Sequence, residues 1–387
     1  MKRGWHSQAI MNEVVSGEQK SRIDVVNASF LLSTPIFAVI SMIWYYMEYG
    51  VSWIEPTIFA GMYFATGLSI TAGYHRLFSH RTHNAAWPLR LFYAIMAAGA
   101  FQNSAIKWCS DHRRHHLLTD SERDPYSVVR GFFWAHMGWV MVSEGGEKVE
   151  KVEDLQSDPI LAWQERHIFK IGALSGIILP GVIGYFVLGG FAGFMGGLVW
   201  GGLLRLVFVH HGTFLINSGA HVWGTQPYTT ENTSKDLHLL SLFTFGEGFH
   251  NFHHAFQADY RNGHKWYHWD ISKWWIKALS WVGLTSALHK VPQQTIESRR
   301  MTTTFEKQEK EVANQEAIVV YRSNLADCVK LLRSSLKGLN EKRVEYKQER
   351  KTAIKDEITK FEAGVKQART NFSTLLAAMK SGQPIAA

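Results

Sequence analysis

Two stretches of this sequence repeat one spacing of imidazoles: His112, His115 and His116, then His250, His253 and His254, both H-x-x-H-H. On an α-helix positions i, i+3 and i+4 share one face, so each box is expected to present its three rings toward one point. A third box supplies His75 and His80, and Asn217 precedes His221 by one helical turn, which puts that pair on one face as well. Neutral imidazole suits iron, zinc, copper or nickel, whereas carboxylate sets favour harder cations. The eight box histidines exceed the four ligands of a structural zinc site and fit two metals, with His221 as a ninth candidate. Carboxylate-rich bundle sites are built on repeated Glu-x-x-His motifs. Here only Glu247 and His250 make one, so Glu247 is expected to hydrogen-bond a ligand ring rather than bind metal. His210 and His211 lack the box spacing and are left outside the set.

Four apolar runs must position these rings: about 30–49, 54–74, 168–188 and 191–209. Each approaches the roughly 20 residues that a helix needs to cross a bilayer. Gly193, Gly196, Gly197, Gly201 and Gly202 permit close helix packing in the last. Residues 85–106 read as an interfacial helix, and 121–166 as a folded loop beside the membrane. The two short connections between spans hold no Lys or Arg, whereas residues 81–166 hold ten. Positive-inside bias therefore places that stretch, all the histidine boxes and both termini in the cytoplasm. Trp266, Trp269, Trp274, Trp275 and Trp281 suit the membrane interface.

Composition agrees with a membrane protein carrying a polar part: 13% aromatic residues, 15 Trp and 19% charged residues. The formal charge of +8 would suit nucleic acid or an anionic membrane, and the aromatic content selects the membrane. Cys109 and Cys328 are single and distant, which excludes a disulfide framework. Beyond about residue 291 the apolar residues step by 3 and 4, in Leu325, Val329, Leu332, Leu336 and Leu339 and again from Ile354 to Met379. These are heptad seams. Either Gly338 marks the turn of a helical hairpin, or the seams form one long helix that self-associates.

From about Thr71 to Lys290 the chain resembles the membrane-bound Δ9 fatty acyl desaturases of the stearoyl-CoA desaturase type. The resemblance rests on residues 72–82 around His75 and His80, Phe101-Gln102-Asn103, residues 111–116, Asp124-Pro125, residues 130–133, 217–221 and 246–254. It implies that His75, His80, His112, His115, His116, His221, His250, His253 and His254 hold two iron ions (Fe2+), with Asn217 reaching one through a water. It implies no catalytic residue separate from these ligands. The implied reaction uses O2 to place a cis Δ9 double bond in a saturated acyl chain lying in a buried tunnel, with Tyr63 and Ala60 at its closed end. Asn103, Trp108 and Asp111 would contact the coenzyme A portion. One departure is the acidic stretch Ser143-Glu144-Gly145-Gly146-Glu147, where basic residues are frequent in the family; it keeps acyl-lipid and acyl-carrier-protein substrates beside acyl-CoA. No His-Pro-Gly-Gly haem motif occurs, so electrons are expected from a separate donor of ferredoxin, rubredoxin or cytochrome b5 type.

The expected fold is thus all-α: four transmembrane helices, a cytosolic helical cap holding the metal site, and a coiled-coil-like C-terminal region. Its expected parts are 1–29, a cytosolic segment; 30–290, the membrane desaturase unit; and 291–387, a helical extension. Two other functions compete. A di-iron fatty acid or alkane hydroxylase shares the boxes, but the setting of His250 and the Asn217–His221 element favour desaturation. A histidine-rich metal transporter would place its ligands near mid-bilayer, whereas these lie beyond the span ends.

Overall fold

The computed structural model describes residues 22–143, 149, 151–312, 315–349 and 352–382. Lys2, Arg3 and Lys20 of the N-terminal segment, and Glu144–Glu147 of the acidic stretch, lie outside them. The chain is predominantly helical. Strand is limited, among the described residues, to two antiparallel pairs of two-residue strands: β1 (Arg22–Ile23) with β3 (Val142–Ser143), and β2 (Asn84–Ala85) with β4 (Thr285–Ser286).

Helix α1 (Val25–Tyr49) starts where the Asp24 carboxylate accepts from the Asn27 amide at 3.0 Å. It buries only a stripe of Ala28, Leu31, Thr34, Ala38 and Tyr45, and turns Ile36, Phe37, Ile40 and Ile43 outward. A helix this apolar on its outer face has lipid, not water, as its matching solvent. After the tight connection at Gly50, α2 (Ile54–Leu68) runs directly into a π-helical segment, Ser69–Ser79, which carries His75 and is closed by His80. Then come α3 (Trp87–Ala98), and α4 (Ala105–Leu118), whose first turn is capped by the Ser104 hydroxyl accepting from the Lys107 amide at 3.2 Å.

A second long apolar stretch, Pro159–Val222, opens with α5 (Pro159–Ala173). It folds back on itself at Gly189 and Gly190, whose φ of +91° and +60° belong to the left-handed region that only glycine enters freely. Either side of the turn, α6 (Leu179–Gly184) and α7 (Gly190–Gly197) meet backbone to backbone: a Cβ at Gly184 or Gly197 would strike the carbonyl of Gly193 or Pro180. The returning leg ends as α8 (Arg205–Val222), which delivers Asn217 and His221. Among the described residues, the two stretches long and apolar enough to cross a membrane are α1 and Pro159–Val222.

Short helices α9 (His238–Phe243) and α10 (His250–Ala255) follow, then α11 (Ile271–Trp281), whose Trp274 and Trp281 face outward. Helix α12 (Gln293–Glu309) packs Ile296 against Tyr228 and Phe252. The final pair, α13 (Gln315–Glu349) and α14 (Thr352–Ser381), lie against one another and against α12. The heptad seams therefore meet within one chain: Leu325, Leu332 and Leu336 bury against Val365, Ala368, Leu375 and Met379. Gly338 is not the turn expected from the sequence. It lies inside α13, where the missing side chain admits the Phe361 ring to a position that a Cβ would occupy.

Candidate metal centre

Nine imidazoles converge as two groups. His75, His80, His112, His116 and His253 form the first; His115, His221, His250 and His254 form the second. Within each group the ligand atoms lie within 4.8 Å of one another. These are the nine histidines singled out from the sequence, but their distribution corrects one expectation. Neither H-x-x-H-H box points at a single site. From α4, His112 and His116 join the first group and His115 the second; from α10, His250 and His254 join the second group and His253 the first. The helix explains the split. Residues i and i+4 stand about 40° apart around the axis, while i+3 falls on the other side of i, so a triad spans an arc wide enough to serve two targets.

His75 and His80 are five residues apart and on an α-helix would diverge. The π-helical segment brings them together: the His80 amide donates to the His75 carbonyl at 3.1 Å and the ring centroids are 4.9 Å apart. Sequence periodicity gave no sign of this turn.

The outward ring nitrogens are held by fixed partners. His75 Nδ1 donates to Glu247 Oε2 at 2.8 Å and His115 Nδ1 to Asp124 Oδ1 at 2.9 Å. His221 Nδ1 meets Thr233 Oγ1 at 2.8 Å, and that hydroxyl spends its proton on Asp120 Oδ1 at 2.7 Å, so His221 must be the donor. His112 Nδ1 meets the buried Tyr126 hydroxyl at 3.1 Å. These contacts assign the tautomers: in His75, His115 and His221 the Nε2 lone pair is bare. Glu247 was foreseen as such a partner. Asp124, Tyr126, Thr233 and Asp120 were not, although Asp124 stands in a turn only nine residues after His115.

Burial, followed by the charge of neighbouring rings, pushes protonation of His80, His112, His116, His250, His253 and His254 far below the usual imidazole range. Neutral rings bring lone pairs together. In the first group Nε2 atoms approach at 2.9 Å (His80–His112), 3.0 Å (His112–His116), 2.9 Å (His116–His253) and 3.0 Å (His253–His75). In the second they approach at 3.3 Å (His115–His254), 3.1 Å (His254–His250) and 3.0 Å (His250–His221). Lone pairs so close repel unless a cation sits among them. Each group therefore offers a donor set that could hold a metal ion.

His75, His112 and His250 also line a cavity of about 380 Å³ with mainly apolar walls, among them Phe30, Ile70, Phe101, Trp139, Phe214 and Ile216. Asn103, Trp108, Asp111 and Asn217 all line it. Trp108 stacks on His112 with centroids 4.9 Å apart, and Asp111 pairs with Lys107 at 2.8 Å. His210 and His211 stay out of both groups, as expected; His210 bonds the Ala100 carbonyl and His211 the His136 ring. Arg76 is fully buried between Glu247 and Asp270.

Behind α10, Asp236 Oδ1 accepts from the Phe252 amide at 3.0 Å. Burial raises its carboxyl from 3.8 to about 7, against the backbone bonds that lower it. A folded value above the unfolded one means that its contribution is intact below the unfolded value and is lost as pH rises toward 7. Asp236→Asn keeps an acceptor for that amide. It is expected to be more stable than the parent at pH 8, by on the order of 2–4 kcal/mol, and equal to it near pH 4. Thermal unfolding at both pH values measures this, and an equal shift at both would sink it.

A family model described as fatty acid desaturase matches residues 32–285. The chain is 43% identical over 246 residues to the probable acyl-CoA desaturase of Schizosaccharomyces pombe, covering 63% of this chain and 51% of that protein. It is 40% identical over 274 residues to acyl-CoA desaturase 1 of Saccharomyces cerevisiae, covering 70% and 52%. With the Delta(9)-fatty-acid desaturase fat-7 of Caenorhabditis elegans it shares 36% over 263 residues, covering 65% and 76%. The chain spans about half the length of the two yeast relatives.

Proposed function

Since the chain belongs to the fatty acid desaturase family, we propose that it is a di-iron, O2-dependent desaturase that introduces a cis Δ9 double bond into a saturated fatty acyl chain, carried as its coenzyme A ester. The observation that carries this reading is one apolar cavity whose wall includes imidazoles of both histidine groups. The printed names of the relatives support the acyl-CoA carrier and the Δ9 position.

Two iron ions, with His75, His80, His112, His116 and His253 on one and His115, His221, His250 and His254 on the other, would supply the O2 chemistry that removes hydrogen from unactivated methylenes. Overall, –CH2–CH2– plus O2, two electrons and two protons gives –CH=CH– plus two waters. The protein's part is positioning. Phe30, Phe101, Trp139 and Phe214 enclose the chain and exclude water, and no side chain is needed as acid or base on carbon. Glu247, Asp124 and the Asp120–Thr233 pair hold their rings in one tautomer. Asn217 would reach one iron through a water, and Asn103, Trp108 and Asp111 would contact the carrier end; all four line the cavity.

The membrane arrangement belongs to the same proposal: four spans, with the termini and the metal centre on the cytoplasmic side. From the turn at Gly190, 31 residues of helix lead to His221, about 45 Å at 1.5 Å per residue, which exceeds a hydrocarbon core of about 30 Å. The parts are a 1–29 segment, a 30–290 membrane unit and a 291–387 extension. Electrons come from a separate carrier protein. Self-association through the extension would use a surface other than its buried seam.

The test is expression in a desaturase-deficient host, with fatty acids identified by gas chromatography and mass spectrometry and double bonds located by derivatisation. New Δ9 monoenes are expected; hydroxylated chains would overturn the reading. Chain length gives a second expectation. A chamber of about 20 Å³ shares Ile70, Thr71, Thr213 and Ile216 with the main cavity and is closed by Tyr63, whose hydroxyl donates to the Phe243 carbonyl. Ala60 lines neither space. A Cβ at Gly212 would meet Tyr63 Oη at 3.7 Å and Thr244 Cγ2 at 3.9 Å, ordinary contacts. Gly212→Leu is expected to fill the chamber and shift the ratio of C16 to C18 products by about tenfold or more. An unchanged ratio would place the tunnel end elsewhere.

A further inference from the structure

We propose that Arg205 is a positioning residue that sets where along the acyl chain the enzyme acts, by clamping the loop Gly99–Asn103 onto α8; this rests on the desaturase reading above. Arg205 is fully buried in the long apolar stretch, and no carboxylate among the described residues pairs with it. Its guanidinium instead donates to three backbone carbonyls: Nε to Gly201 at 3.0 Å, Nη1 to Gly99 at 2.7 Å and Nη2 to Gly176 at 2.5 Å. A charge held this way inside a membrane protein is costly, and by default marks a functional position. The planar fork is what reaches three carbonyls from three chain segments at once; a lysine ammonium offers one point. The carbonyls can converge because Gly99 and Gly176 touch: a Cβ on Gly99 would lie 3.0 Å from Gly176 Cα.

The clamped loop is strained. Phe101 and Asn103 both take left-handed conformations, at φ +52° and +70°, which non-glycine residues keep only when their surroundings enforce it. Three side chains of α8 supply that enforcement. Arg205 takes the Gly99 carbonyl, His210 bonds the Ala100 carbonyl at 2.7 Å, and Thr213 accepts from Gln102 Nε2 at 3.0 Å. Four and eight residues beyond Thr213 the same helix presents Asn217 and His221. One rigid element thus grips the loop and carries part of the metal centre.

The loop matters to the reaction because Ala98, Phe101, Gln102 and Asn103 line the cavity that also contains His75, His112 and His250. The loop's placement relative to α8 decides which methylenes lie beside the imidazoles. Released from Arg205, it relaxes toward unstrained backbone and the chain slides. Misplacement of about 1 Å at a reacting centre costs on the order of 100-fold in rate, so neighbouring positions come to compete.

The 387-residue chain in membranes, with Arg205→Lys and Arg205→Met beside the parent, decides this on saturated C16 and C18 acyl-CoA. Metal per chain, KM and the position of the double bond are read. Arg205→Lys is expected to keep two metals, raise KM about tenfold, and spread product from one position to at least two. Arg205→Lys product confined to one position, with loss in kcat alone, would overturn the proposal and leave Arg205 a stabiliser of the bundle. If both Arg205 variants lose metal, Thr213→Val, which removes one grip without touching the charge, is read instead: mixed positions support the clamp and a single position overturns it. A parent that hydroxylates its substrate defeats the desaturase reading, while the clamp is still judged on the position of the hydroxyl. A parent with bound metal that gives no product in membranes supplied with a reduced electron carrier removes both.

Discussion

His253→Ala is expected to abolish product and to lower metal content from two ions per chain to about one. His253 is the single ring that α10 gives to the first group, and it joins that group's ends, with Nε2 at 3.0 Å from His75 and 2.9 Å from His116. Without it, His75 keeps no Nε2 neighbour at hydrogen-bond distance among the described residues. The site is buried, so the lost ring leaves polar nitrogens facing a void instead of water. The second group shares no nitrogen with the first and should keep its ion. A fall in activity of more than about 100-fold is expected, because both groups contribute rings to the wall of the cavity proposed to hold the acyl chain. His268→Ala is the matched control: His268 is buried and stacks on Phe249 at 4.4 Å, yet belongs to neither group. Elemental analysis together with product analysis decides the matter. Two ions retained in His253→Ala would contradict the division into two groups.

The second large effect is expected at Glu247. Its carboxylate accepts from His75 Nδ1 at 2.8 Å, from Arg76 Nη2 at 2.8 Å and from Asn262 Nδ2 at 2.7 Å, with every partner buried. Glu247→Gln turns an N–H toward one of those donors and leaves Arg76 with Asp270 as its one carboxylate. Breaking a buried pair of this kind costs about 3–5 kcal/mol. The loosened His75 should weaken metal binding a further 10–100-fold, by the usual effect of losing an outer partner. Burial alone would raise the Glu247 carboxyl, but the charge of Arg76 and the hydrogen bonds from His75 and Arg76 outweigh it and hold the carboxyl below its ordinary value. With the folded value below the unfolded one, this stabilisation is present above the ordinary carboxylate range and is lost as pH falls through the lower folded value. The parent should therefore lose stability on the acid side where the Gln variant shows a flatter profile. Thermal unfolding in detergent across that range reads both effects, and unchanged stability near neutrality would refute the assignment.

The histidine set was legible because it rests on short-range periodicity, which a helix converts into geometry with few alternatives. The nine rings, the partner role of Glu247 and the exclusion of His210 and His211 all follow from spacing and neighbours. What spacing could not carry was angular detail. An arc wide enough for one target also serves two, so the crossed sharing of α4 and α10 appears only when both helices face each other. The pairing of His75 with His80 needed a π-helical turn, which leaves no mark in hydrophobic periodicity. Gly338 misled for a related reason: a glycine in a helical pattern reads as a breaker, whereas here the distant Phe361 packs against it. Arg76 read equally well as a lipid or substrate contact, because its partners Glu247 and Asp270 lie more than 170 residues away in sequence. Long-range partners of this kind have no local signature.

The wall behind α10 has a bearing on the order of events during synthesis. Ile296 of α12 packs on Tyr228 and Phe252, and Arg299 and Thr303 donate to the Tyr228 carbonyl. Asn251, between His250 and Phe252, accepts from the Tyr228 amide at 2.8 Å. The helix that completes both histidine groups is therefore seated against residues translated about fifty positions later. Chains emerge from the ribosome N-terminus first, at about 5–20 residues per second. While the apolar stretches are entering the bilayer, His75, His112 and their neighbours already exist, but the last three rings have no support behind them. Assembly of the two histidine groups therefore waits on α12, the helix that seats α10 from behind.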